Sequence, residues 1–190
     1  MLERLLELDT DLFVYLNGLG SETWDWLWLA ITNKLTFVPL YALLLFLIYK
    51  KMGWKSLLMI MVVITLMILF TDQTTNVVKR SVLRFRPCAC DEIKDFIRFI
   101  AERCSSQRSF FSGHASNSMA AAVFGGLVLR PYYKRLIFIL LVWAFLVAYS
   151  RIYVGVHFPV DILCGMTFGA LAGFGFYKLN TYVLKRFISE

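Results

Sequence analysis

Two histidines, four prolines and a charged fraction of only 17% leave this sequence with little of what soluble enzymes are built from. Against 59% hydrophobic residues, so few charges exclude an ordinary soluble domain, in which about a quarter of residues are charged. The acidic residues form no cluster of the kind that holds a divalent cation, and no metal or other cofactor is expected. The segment 1–17 has no basic leader and carries Glu3, Glu7, Asp9 and Asp11, so it does not read as a secretory signal. Internal repeats, low-complexity tracts and a soluble second domain are also missing. Residues 1–190 therefore read as a single membrane-embedded domain.

What the chain has is apolar runs. About 20 mostly apolar residues are needed to cross a bilayer, and about five stretches qualify, roughly 24–49, 54–78, 111–130, 135–150 and 158–184. The expected fold is all-α, a polytopic membrane helix bundle. Asn33 and Lys34 interrupt the first stretch, which could be an interfacial piece followed by a short tilted span. Leu5, Leu8, Leu12 and Leu16 recur at helical spacing, predicting an amphipathic N-terminal helix on the membrane surface. Ile93, Phe96, Ile97 and Ile100 follow the same rule, predicting a second short amphipathic helix between Asp91 and Arg103, outside the bilayer.

The net charge of +7 would suggest nucleic acid in a soluble protein, but here basic residues sit mainly between apolar runs, and no nucleic-acid partner is expected. With five spans, Lys50, Lys51, Lys55, Arg130, Lys134, Arg135, Lys178, Lys185 and Arg186 fall on one face, which should be cytoplasmic, with Glu190 its only acidic residue. The opposite face also keeps cations, among them Lys79, Arg84, Arg86 and Arg151. An anionic partner bound there would explain them. Cys88, Cys90 and Cys104 lie on that face, and Cys104 could bridge to either of the others. Zinc is disfavoured because no histidine lies between them. Small residues from Ala115 to Ala122, and Gly165, Gly169 and Gly173, suit close helix packing within the bundle or a homodimer seam. The oligomeric state is open.

Both histidines belong to polar clusters on the outer face. Lys79 and Arg86, seven residues apart, share one side if the helix continues, and Pro87 ends it. Ser112 is a natural N-cap, and Gly113 lets an anion approach the exposed amides of the helix start, where His114 follows. Arg151 offers a planar fork for two phosphoryl oxygens. Pro159 suits the first turn of the last helix, so Asp161 can reach back to His157 and fix its tautomer. These parts fit phosphoryl transfer, with His157 as nucleophile and His114 as acid and base.

As an ordered set, Lys79 to Arg86-Pro87, Phe111-Ser112-Gly113-His114, and Ser150-Arg151 to His157 to Asp161 resemble the three signature motifs of the type 2 phosphatidic acid phosphatase superfamily. Phe111 stands where the family has proline. The resemblance implies that Lys79, Arg86, Ser112, Gly113 and Arg151 bind phosphate and that His114 is the acid/base. It further implies that His157 forms a phosphohistidine oriented by Asp161, without a metal. A membrane phosphatase acting on a phosphorylated lipid is the expected function, with its site on the periplasmic or external face of a bacterial inner membrane. Undecaprenyl diphosphate is the favoured substrate; phosphatidylglycerol phosphate, phosphatidic acid and lipid A phosphates also fit. A non-catalytic phospholipid binder or transporter is the rival from another class.

Overall fold

Asn33 breaks the first apolar stretch more completely than its hydropathy suggests. Its side chain accepts the Leu35 N–H at 3.0 Å and its own backbone is extended, so helix α2 (Glu22–Thr32) stops before it. A short 3-10 turn, Lys34–Phe37, leads into helix α3 (Val38–Val82), where Pro39 occupies a first-turn position that needs no N–H. The first span therefore begins near residue 38 and not at 24. In this computed structural model, which describes residues 2–104 and 108–188, the remaining helices are α1 (Leu2–Gly18), α4 (Gly113–Leu129), α5 (Leu136–Tyr153) and α6 (Pro159–Phe187). Glu190 lies outside the described residues. Among them there is no β-strand, and the architecture is all-α.

Helix α3 is two helices. Gly53 has φ of 80°, a conformation that side chains rarely adopt, and it divides the helix into 38–52 and 54–82. Leu44 and Ile48 of the first half share one cluster with Ile60, Ile64 and Ile68 of the second. Residues 44 and 68 would lie about 36 Å apart on a straight helix, so the halves must fold back side by side. With α4, α5 and α6 they make five bundle helices, the number of spans expected, and α3, α5 and α6 are long and apolar enough to cross a membrane.

Helix α4 sits in the centre, packed against α6, α5 and α3. Its small residues, including Ala115, Ser116, Ala120 and Ala122, are buried, and α6 presents its glycines to them. A Cβ placed on Gly165, Gly169 or Gly173 would lie 2.6, 2.2 or 2.6 Å from the carbonyl oxygen of Ser112, Ser116 or Ala120. The glycine stripe is thus spent inside the bundle and not on a homodimer seam. Gly169→Ala is expected to lower stability by on the order of 1–3 kcal/mol, because backbone must move to admit one methyl group. Thermal unfolding in detergent reads it, and an unchanged midpoint would show that α6 is not seated as described.

The leucine stripe of α1 is exposed at Leu5, Leu8 and Leu12, as an interfacial helix requires. The same helix also has a protein face that the leucines conceal. Asp9, Phe13 and Asn17, at four-residue intervals, are buried. Phe13 packs edge-on to Phe158 at 5.3 Å. Asn17 donates to the carbonyls of Arg98, Ile152 and Tyr153, all at 3.0 Å, and accepts the Arg98 N–H at 2.7 Å.

That clamp explains where a second expectation fails. The segment Asp91 to Arg103 is not an amphipathic helix; it holds one 3-10 turn, Lys94–Phe96, and runs extended at Ile97. An isolated helix of this length is marginal. Asn17 takes the Arg98 backbone groups, Ile97 and Ile100 pack against buried residues of α5 and its following loop, and a Cys88–Cys104 disulfide closes the segment. Cys90 is the free thiol of the three.

Candidate active site

The three polar clusters meet at one end of the bundle because α3, α4, α5 and α6 all place a terminus there. Ser112 caps α4, its hydroxyl accepting the Ala115 N–H at 3.4 Å, and its own N–H donates to the Asp161 carbonyl at 3.0 Å. The start of α4 is thereby locked to the first turn of α6. The Arg151 carbonyl accepts the N–H groups of Val156 and His157 at 3.1 and 3.3 Å, which folds the α5–α6 connection tightly. Gly155 within it has φ of 81°, and a Cβ there would meet the Arg98 carbonyl oxygen at 2.8 Å.

A cavity of about 610 Å³ opens at this junction. Lys79, Arg86, Gly113, His114, Arg151 and His157 line its polar end. Tyr41, Leu44, Ile48, Ile64, Ile68 and Phe124 line its apolar walls between the α3 hairpin and α4, with Asp72, Thr75, Asn76 and Asn117 among the other lining residues. Among the described residues no carboxylate pairs with Lys79, Arg86 or Arg151, and the buried Nε atoms of Arg86 and Arg151 have no partner. Arg151 Nη1 donates to the Thr32 hydroxyl, so the end of α2 also reaches the site. Burial pushes the Arg86 guanidinium below its usual range. Unpaired buried cations are costly, and a bound anion would remove that cost.

Asp161 lies where a group orienting His157 was expected, whereas Ser112, expected to bind phosphate, stands behind the wall. Asp161 is fully buried beneath His157, and its Oδ2 lies 3.4 Å from His157 Nδ1. Ser112 is also fully buried and does not line the cavity; its hydroxyl serves α4. Lys79, Arg86, Gly113, His114, Arg151 and His157 are brought together as expected.

Sequence reasoning missed the groups that hold Asp161. The Ser109 hydroxyl donates to Asp161 Oδ2 and lies 3.3 Å from His157 Nδ1. The Phe158 N–H donates to the same oxygen at 3.1 Å. Arg84 bridges two carboxylates, donating from Nη1 to Asp161 Oδ1 at 2.8 Å and from Nη2 to Asp9 Oδ2 at 2.6 Å. Its guanidinium carbon lies 4.1 Å from the Phe158 ring centroid. Asp9 in turn accepts the Val160 N–H at 2.8 Å. The usable signal was Arg84's place between Lys79 and Arg86, and the buried i, i+4, i+8 face of α1.

Burial pushes the His157 pKa down to about 4. The Asp161 carboxylate opposes this and the Arg151 and Arg86 charges reinforce it. The imidazole is therefore neutral at pH 7, as a nitrogen nucleophile must be.

The fold and this site define an all-α membrane protein whose cavity gathers unpaired cations beside two imidazoles. The chain belongs to the PAP2 superfamily, whose family model matches residues 56–185. It is 36% identical over 192 residues to a lipid A 4'-phosphatase of Bacteroides thetaiotaomicron, covering 100% of this chain and 84% of that one. A lipid A 4'-phosphatase of Porphyromonas gingivalis is 30% identical over 190 residues, covering 98% and 79%. The crystal structure of a PAP2-type phosphatidylglycerolphosphate phosphatase from Bacillus subtilis superposes with a TM-score of 0.73 at 24% identity, covering 95% of this chain and 88% of that one. The protein is an integral membrane lipid phosphatase of the PAP2 type, a phosphate monoester hydrolase.

Proposed function

We propose that residues 1–190 act as one domain that removes a phosphate monoester from a lipid A type glycolipid, through a phosphohistidine at His157 and on the external face of the membrane. The observation that carries this reading is the set of unpaired cations beside His114 and His157 at one end of a cavity that also has long apolar walls. Full-length similarity to two lipid A 4'-phosphatases favours a glycolipid over undecaprenyl diphosphate, the substrate that the sequence alone favoured.

Lys79, Arg86, Arg151 and the amides at Gly113 hold the phosphoryl oxygens and stabilise the charge that builds on them in the transition state. His157 Nε2 attacks phosphorus while Asp161 retains the proton on Nδ1. His114 protonates the departing sugar oxygen as its bond to phosphorus breaks, leaving phosphate on His157 Nε2. His114, now neutral, takes a proton from water; the resulting oxygen nucleophile attacks phosphorus, releases inorganic phosphate and restores His157. Arg84 and Ser109 act through Asp161 as positioning residues.

The deciding experiment measures inorganic phosphate released by the purified protein in chelator, across lipid A, phosphatidylglycerol phosphate, phosphatidic acid and undecaprenyl diphosphate. Release fastest from lipid A supports the reading; release from none of them would favour a lipid binder or transporter. Lys79→Ala should cut kcat by about 10²–10³, since Lys79 contacts an oxygen that gains charge in the transition state. A change confined to KM would show that it only binds substrate.

A further inference from the structure

Asp72 is the carboxylate that phosphate binding does not use. It lies in the spanning part of α3, where an ionised side chain is costly unless it has a task. Asp72, Thr75, Asn76 and Lys79 fall at i, i+3, i+4 and i+7, and all four line the cavity. Asp72 is thus about 10 Å further along the cavity than the phosphate-binding Lys79.

Its surroundings are built. Asn117 Nδ2 donates to Asp72 Oδ1 at 2.7 Å, and the Thr71 hydroxyl lies 2.7 Å from Asn117 Oδ1, which fixes the amide in that orientation. Among the described residues no donor reaches Asp72 Oδ2 and no cation pairs with the carboxylate. One turn on, Thr75 is only 3% exposed, and its hydroxyl has no partner. A carboxylate repels phosphate, so this pair does not extend the anion site. It offers acceptors to a neutral donor.

We propose that Asp72, held by Asn117 and assisted by Thr75, accepts a hydrogen bond from a hydroxyl or amide N–H on the unit that carries the phosphate. The site selects lipids whose phosphate sits on a polar headgroup over lipids whose phosphate is attached directly to a hydrocarbon chain. Such a chain has no donor to offer, and entering would leave Asp72 and Thr75 unsatisfied. The inference rests on the cavity being where the lipid phosphate binds.

The test is the ratio of kcat/KM for a phosphorylated N-acylglucosamine lipid to that for a polyprenyl phosphate. Asp72→Ala is expected to lower this ratio about tenfold or more, as for a lost hydrogen bond to a charged group. Thr75→Val, which keeps the side-chain shape, should lower it less and in the same direction. An unchanged ratio in both variants, or equal losses on both lipids, overturns the proposal. Phosphatidylglycerol phosphate forms a third arm: a fall against the sugar lipid alone assigns the donor to the sugar, and a fall in both arms extends it to a glycerol hydroxyl. The same ratios read as lipid retention on the His157→Ala protein by native mass spectrometry require no turnover. An inactive wild type would therefore sink the phosphatase reading while retention still decided this one.

Discussion

His157→Ala is expected to lower phosphate release by at least about four orders of magnitude, to the background rate, because in the proposed mechanism it removes the nucleophile and not merely a contact. The variant should still fold, since Asp161 keeps the Ser109, Phe158 and Arg84 bonds. Rapid acid-free quenching of the wild type with labelled lipid should trap phosphate on the protein, and the variant should trap none. Turnover retained by the variant would move the nucleophile elsewhere.

The acidity of the same imidazole gives the pH profile. With its pKa held down at about 4, His157 remains neutral until the pH falls through that value, so the acid limb set by this group lies near pH 4 instead of near 6.5. Between pH 6.5 and 4 the unfolded chain protonates this histidine and the folded chain does not. Stability should therefore decline as the pH falls across that window. The groups facing His157 are Asp161, Ser109, Arg151, Arg86 and His114, and a limb near 6.5 would mean that they and burial do not act as described.

Arg84→Met is the second large effect. It leaves the carboxylates of Asp161 and Asp9, exposed by 0% and 2%, without their shared cation. Breaking a buried pair in this way costs about 3–5 kcal/mol, more than deleting both partners. The unfolding midpoint should drop accordingly, and activity should fall because Asp161 no longer holds His157 in one orientation. Adding Asp9→Asn to Arg84→Met should recover part of the stability but little of the activity, because Asp161 still lacks its partner. A midpoint unchanged in the single variant would refute the bridge.

These expectations show which parts of the site were legible in the sequence. His114, Arg151, His157 and Asp161 stand at helix ends marked by proline, glycine and serine, and the count of spans together with the ordered motifs gathered them on one face. Arg84 looked like one more cation in a basic run, because its partners lie 75 and 77 residues away and no local pattern encodes such pairing. Asp9 was hidden among solvated acids beside a leucine stripe that the structure leaves exposed at Leu5, Leu8 and Leu12. The segment after Asp91 had a helical period, yet Asn17 claimed its backbone from 81 residues away. Among the spans, the break marked by Lys50, Lys51 and Lys55 was readable, whereas the end of α2 depended on how the Asn33 side chain bonded.

The Cys88–Cys104 bridge bears on which changes of chain length the protein tolerates. The Arg84 carbonyl accepts the N–H groups of Arg108 and Ser109 at 3.0 and 2.8 Å, so the segment is pinched once there and again at the disulfide. Beyond the second pinch, exposed positions such as Asp91, Glu92 and Asp95 belong to a closed ring that extra residues could lengthen at little entropic cost. Between Arg84 and Cys88 there is no such slack, and one added residue would carry Arg86 off the cavity wall. Insertions should therefore be acceptable in the ring and damaging in the four peptide links before it, although both regions look equally loop-like.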